Sequence, residues 1–185
     1  MKNVSLALLA FFALVFSASA QQPTRNVLDQ NPTGEVKLNF LNVIAIGTVE
    51  IGYEQFFSND QSIGLEIHFN DRFSYSSTRG SKSFESTSLQ LAYTFYFSGD
   101  ENGKLFLFPF VRYRFGEFSE NIDGINVRTD MNSTYLGLGG GYKWVFSEKF
   151  AFGPFVSVSR GFSQEVAERF APVEFNAGFT VGYRF

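Results

Sequence analysis

The fourteen residues from Pro172 to Phe185 constrain the fold of this chain more than any other stretch. Every second residue back from Phe185 is apolar: Tyr183, Val181, Phe179, Ala177, Phe175 and Val173. The residues between them are polar or glycine: Arg184, Gly182, Thr180, Gly178, Asn176 and Glu174. A period of two places side chains on opposite faces of a β-strand, here one greasy and one wet. The run also exceeds the ~9–11 residues that carry a tilted strand across hydrocarbon. Such a strand suits a closed sheet whose greasy side meets lipid.

The other end of the chain agrees. Met1-Lys2 is a short basic start, Leu6 to Phe16 is apolar, and Ala18-Ser19-Ala20 precedes Gln21 in the small-x-small pattern of a secretory signal peptide. The apolar run is shorter than the ~20 residues of a spanning helix. The expected organisation is a signal peptide over residues 1–20, a short periplasmic leader over 21–33 and a β-barrel over 34–185. With no other long apolar run, a membrane protein satisfies its backbone in lipid only by closing a sheet on itself. The 25 Phe, 8 Tyr and 17 Gly suit such strands, and the absence of cysteine excludes disulfides and thiolate chemistry. No basic stripe points to nucleic acid.

Eight segments repeat the two-faced pattern: residues 35–41, 48–57, 62–70, 88–97, 105–115, 136–146, 150–158 and 172–185. Connections 58–61, 98–103 and 147–148 are short, whereas 71–82, 116–132 and 161–171 are long and polar. This rhythm predicts an all-β, eight-stranded antiparallel up-and-down transmembrane barrel with tight turns on one side and long loops on the other. The connection 42–47 is the exception, short and apolar, and reads as a bulged continuation of strand. Pro109 and Pro154 fall on the outward face in similar strings, Phe108-Pro109-Phe110-Val111 and Gly153-Pro154-Phe155-Val156. They read as matched bulge or kink sites.

The inward rows carry Lys37, Glu50, Glu54, Glu66, Arg112, Arg114, Lys143, Glu174 and Arg184. An eight-stranded barrel has an interior just wide enough for side chains to fill, and buried charges need partners. The expectation is a charge network across the lumen, with Glu50, Glu54 and Glu66 on one side facing Arg112, Arg114 and Lys143 on the other. Phe106, Phe108, Phe110 and Phe155 add bulk, so a plugged bore is predicted. The alternating glycines of Gly137-Leu138-Gly139-Gly140-Gly141 make room for bulky neighbours and lack the strand–turn–helix context of a phosphate loop.

His68 is the only histidine, so imidazole catalysis would run through it. Parity points it into the lumen beside Glu66, and no serine stands out as its partner, so no catalytic residue, cofactor or metal is assigned. Outer loops are where recognition would reside, but nothing in them names a ligand.

Lys37-Leu38-Asn39-Phe40-Leu41, then Gly47-Thr48, then Gly52-Tyr53-Glu54 resembles the opening of an uncharacterised family of small outer-membrane barrels, whose members run K-L-N-x-L, a short apolar bridge, G-T and G-Y-E. Beyond residue 54 the chain is generically similar to OmpA-, OmpX- and OmpW-like barrels. The resemblance implies a bacterial outer-membrane location and a monomer among outer-membrane lipid. It implies barrel-assembly machinery reading a C-terminal signal in Phe179, Val181, Tyr183 and Phe185. It supplies no catalytic residues, and the chain departs from the OmpA type in having no periplasmic peptidoglycan-binding domain. The leading expectation is a non-enzymatic structural or surface-interaction protein. Open beside it are an OmpW-like passage for small apolar compounds, a lipid-modifying enzyme using His68, and a water-soluble lipocalin-type barrel with its faces inverted.

Overall fold

The computed structural model describes residues 33–69, 82–100, 103–122, 125–163 and 171–185, all within one compact unit, Pro32–Phe185. The signal peptide, the leader through residue 32, loop 71–81 and most of loop 161–171 lie outside the described residues. The elements are β1 (Gly34–Asn39), α1 (Phe40–Ile46), β2 (Val49–Ser58), β3 (Gln61–Phe69), β4 (Lys82–Asp100), β5 (Gly103–Ile122), β6 (Ile125–Asp130), β7 (Ser133–Phe146), β8 (Phe150–Gly161) and β9 (Val173–Arg184).

Eight strands form a closed antiparallel ring in the order β1-β2-β3-β4-β5-β7-β8-β9, and β1 pairs back onto β9. Closure leaves no free edge around most of the wall, which is what a sheet surrounded by lipid requires. The short turns, Gly34 and Phe185 lie together at one end, where Gly34 N donates to Phe185 O at 3.0 Å and Phe185 N to Gly34 O at 2.9 Å. We call this the terminal end and the opposite one the loop end.

The two faces fall as the alternation requires. Leu89, Leu91, Phe95 and Phe97 are exposed on β4, while Ser88, Gln90, Ala92, Thr94 and Tyr96 between them are buried. On β9, Phe175, Val181 and Tyr183 look outward and Glu174 inward. The exterior is thus a continuous apolar band, far beyond the few hundred Å² usual for a protein in water, and this excludes a lipocalin-type inversion. Aromatic residues crowd it near the terminal end, where Trp144 lies 4.9 Å from Tyr142 and 5.6 Å from Phe152 between ring centroids. No described helix is long and apolar enough to cross a bilayer, which has no bearing on crossing by strands.

The structure departs from the sequence pattern in three places. Connection 42–47 is not bulged strand: Phe40–Ile46 is an α-helix, capped by Asn39, whose Oδ1 accepts from Asn42 N, and by Gly47 at φ 70°. A left-handed C-cap is strained for any residue with a Cβ, so the glycine ends the helix. Connection 116–132 is not loop throughout: β5 continues to Ile122 and β6 pairs back on it from Glu117↔Asp130 to Ile122↔Ile125. Because β4 follows β5 out to Lys82↔Glu120, the three strands make a small sheet projecting beyond the ring at the loop end.

The third departure concerns the prolines. Both are exposed on the outward face, but neither creates a bulge. The β4–β5 register is the same at Ala92↔Phe110 and Phe95↔Leu107, on either side of Pro109. The β7–β8 register is likewise the same at Gly141↔Phe155 and Trp144↔Phe152. Each proline lacks an N–H and interrupts one ladder locally without shifting it.

Candidate functional site

The lumen is packed in three layers. Nearest the terminal end is an ionic cluster. Lys143 Nζ donates to Glu35 Oε1 and Oε2, both at 3.1 Å, and to Glu54 Oε2 at 2.9 Å. Lys37 Nζ lies 2.6 Å from Glu66 Oε1 and 3.7 Å from Glu54 Oε2. Ser62 and the Tyr96 hydroxyl both donate to Glu54, and Gln90 donates to Glu66 at 2.9 Å. Arg184 sits 3.8 Å from Glu35 and over the Phe56 ring at 4.8 Å.

Above this cluster, Phe106, Phe108 and Phe110 form a stack along β5 with centroids 5.8 Å apart, and Phe155 meets Phe108 edge-on at 6.2 Å. The glycines of β7 lie beneath these rings. A Cβ on Gly137 would stand 2.2 Å from Phe110 Cζ, one on Gly139 2.2 Å from Phe108 Cζ, and one on Gly141 2.8 Å from Phe106 Cζ. A bulky row on one strand therefore requires a bare row on its neighbour.

Towards the loop end a second cluster is built on Glu174. Arg112 Nη2 donates to it at 2.6 Å, and Arg114 donates through Nη1 at 2.7 Å and Nη2 at 3.0 Å. Arg114 also donates to the Tyr135 hydroxyl at 2.7 Å, and both guanidinium groups stack over the Tyr135 ring.

All nine charged residues named from the sequence face the lumen, but their partners differ from those expected. Arg112 and Arg114 pair with Glu174 on the last strand, not with Glu50, Glu54 or Glu66. Of Arg112, Arg114 and Lys143, Lys143 alone reaches that acidic side, at Glu54. Parity fixes the face a side chain takes but not its height, and the strand register sets these arginines a layer above the glutamates. Glu50 is held by amides, from Asn39 Nδ2 at 2.8 Å and Asn42 Nδ2 at 2.6 Å.

Glu35 was missed, although stepping back two residues from Lys37 puts it on the inward row. It is 1% exposed and holds Lys143. With Glu35 the described lumen carries five acids and five bases.

His68 Nε2 lies 3.2 Å from Glu66 Oε2, and the register puts Ser88 directly opposite His68. These are the residue types of a hydrolase triad, which must be judged by geometry. Ser88 and His68 are sealed, at 0% and 1% exposure, and the carboxylate beside His68 is already held by Lys37 and Gln90. Among the described residues no group of His, Asp and Glu is arranged to hold a metal ion. Between the lower cluster and the phenylalanines is a cavity of about 40 Å³, reached by Asn39, Glu50, Ser157 and Asn176.

The terminal row Val181, Tyr183 and Phe185 is exposed, with Phe179 half-buried on the same face. The family-like motif lies where the structure is most constrained. Lys37 and Glu54 enter the lower cluster, Asn39 and Gly47 cap α1, and a Cβ on Gly52 would stand 2.8 Å from Glu66 and 2.9 Å from Lys37.

Residues 6–181 match the family described as protein of unknown function DUF3575. No curated protein matches the chain. Among solved structures it is similar to the N-terminal β-barrel domain of Pseudomonas aeruginosa OprF. That match has 14% identity, covers 82% of this chain and 95% of that one, and has a TM-score of 0.55. It is also similar to a major outer membrane protein from Thermus thermophilus, at 14% identity, 82% and 98% coverage and a TM-score of 0.54. At these identities the likeness concerns the fold, which is that of the small eight-stranded outer-membrane barrels.

Proposed function

We propose, from the premise that the chain belongs to the DUF3575 family, that it is a non-enzymatic barrel of the bacterial outer membrane with a structural or surface-interaction role. The observation that carries this reading is the sealed lumen: two ionic clusters with a phenylalanine stack between them occupy the bore. Solute conduction through the bore is then disfavoured, and the part left to meet other molecules is the β4–β5–β6 sheet beyond the ring. The tight turns face the periplasm and the projecting sheet faces outward, as in barrels of this class. Phe179, Val181, Tyr183 and Phe185 form the row read by the barrel-assembly machinery, and the partner of the barrel wall is outer-membrane lipid.

Fractionation with protease shaving of whole cells tests the reading. The expected result is an outer-membrane band whose gel mobility changes on boiling, and cleavage between residues 117 and 130 in intact cells. Recovery in the soluble periplasm, or cleavage there only after permeabilisation, would overturn it.

A further inference from the structure

Seven of the eight ring strands have nine residues or more, but β1 has six, short of the ~9–11 that cross hydrocarbon. The wall shows the consequence. β9 pairs with β8 from Val173 to Tyr183, yet with β1 only from Thr180 to Arg184. β2 meets β1 only from Ile51 to Gln55. Towards the loop end, Val49 and Glu50 of β2 and Val173 to Phe179 of β9 therefore lie beyond the β1 ladder, across a break in the wall.

Helix α1 occupies that break and packs on β9 and β2. Its ends are closed by caps: Asn39 Oδ1 accepts from Asn42 N, and Asn42 O accepts from the Gly47 and Thr48 N–H groups. Phe40, Leu41 and Ile44 are exposed outward at 53%, 46% and 69%, while Asn42 is buried on the lumen side. What fastens the helix is a set of side-chain bonds. Asn39 Oδ1 accepts from Phe179 N at 3.3 Å, Asn42 Nδ2 donates to Asn176 Oδ1 at 3.2 Å, and both amides hold Glu50. A panel fixed by side chains separates more readily than one fixed by a ladder.

We propose that α1 plugs a lateral portal, and that the cavity behind it binds the head of an amine-bearing amphiphile arriving from the adjoining leaflet. The head group follows from Glu50. Asn42, on α1, leaves with the helix while Asn39 stays on β1 opposite Thr180, so displacing α1 strips the buried carboxylate of one of its two amide donors, which is costly in a dry interior. An ammonium replaces the Asn42 amide with up to three donors and opposite charge. Phe106, Phe108 and Phe155 line the same cavity and receive the first carbons of the chain. At about 40 Å³ the closed cavity has room for little more than water, so the rest of the tail lies in the gap the helix vacates. This site goes beyond the surface role and does not depend on it.

The chain has no cysteine, so Ser157→Cys gives a unique thiol on the cavity wall. The variant is refolded into phosphatidylcholine vesicles, with the boiling-dependent mobility shift as the fold check. An N-alkyl maleimide dissolved in the bilayer is expected to label it faster than a charged, impermeant maleimide, and dodecylammonium, unlike dodecanoate, is expected to slow that labelling. Adding Asn42→Ala loosens the latch and raises labelling roughly tenfold, the scale of one charge-assisted hydrogen bond. Adding Glu50→Gln abolishes protection by dodecylammonium while the thiol remains reactive. Equal labelling by the two reagents, or protection that ignores head-group charge, would sink the proposal. If one of these second substitutions prevents folding, the other, together with the Ser157→Cys variant alone, still decides the matter.

Discussion

At Gly139 a single methyl group would meet the Phe108 ring at 2.2 Å, with strand on both sides. Gly139→Ala should therefore destabilise the barrel by about 1–3 kcal/mol through overpacking, read as a lower urea midpoint in detergent or vesicles. Adding Phe108→Leu should recover part of the loss, and additive effects of the two changes would contradict the contact. Glu174 presents the opposite situation. Replacing it with Gln removes the carboxylate that the buried Arg112 and Arg114 share, at a cost of about 3–5 kcal/mol, far above that of a surface carboxylate such as Asp60. An unchanged urea midpoint would refute that account. Much of this layer was legible: alternation alone put all nine charged residues inside, and the glycine row announced its bulky neighbours. Pairing was not legible, because which cation meets which acid depends on height along tilted strands, and sequence spacing within one strand does not give its register with the next.

Among the elements, the turn between β7 and β8 carries two consecutive non-glycine residues in the left-handed region, Ser147 at φ 51° and Glu148 at φ 61°. Each costs about 1 kcal/mol relative to a residue that tolerates it. Ser147→Asn with Glu148→Gly should raise the unfolding midpoint without altering the β7–β8 register, and a lower midpoint would count against the strain. The projecting β5–β6 hairpin makes a converse prediction. Replacing residues 117–130 by a short turn should leave the mobility shift and the urea midpoint of the ring unchanged, since among the described residues β6 pairs with β5 alone and β4 meets residues 117–120 beyond the wall. This hairpin escaped a reading based on alternation because no lipid-facing row runs along it. Helix α1 escaped for another reason. Val43, Ile44 and Ile46 favour strands, yet two local signals override them: an asparagine N-cap that bonds the first turn and a glycine that supplies the left-handed stop.

For the whole molecule, the balance of five acids and five bases in the described lumen means that the bore is closed without a net buried charge. Planar-bilayer recordings of the refolded protein should accordingly show no steady conductance, whereas currents of porin size would require the Lys143 and Glu174 clusters to open. The ring is closed by the β1–β9 seam, whose register runs only from Glu35↔Arg184 to Asn39↔Thr180. Those partners are separated by nearly the whole barrel sequence. Contacts of such separation are slow to form, because the entropy of gathering the intervening chain is spent before they contribute. The seam therefore acts as the clock of assembly. Until β9 arrives, the growing sheet keeps two raw margins able to recruit a stranger, so crowding during refolding should lower the share of chains that ever become rings.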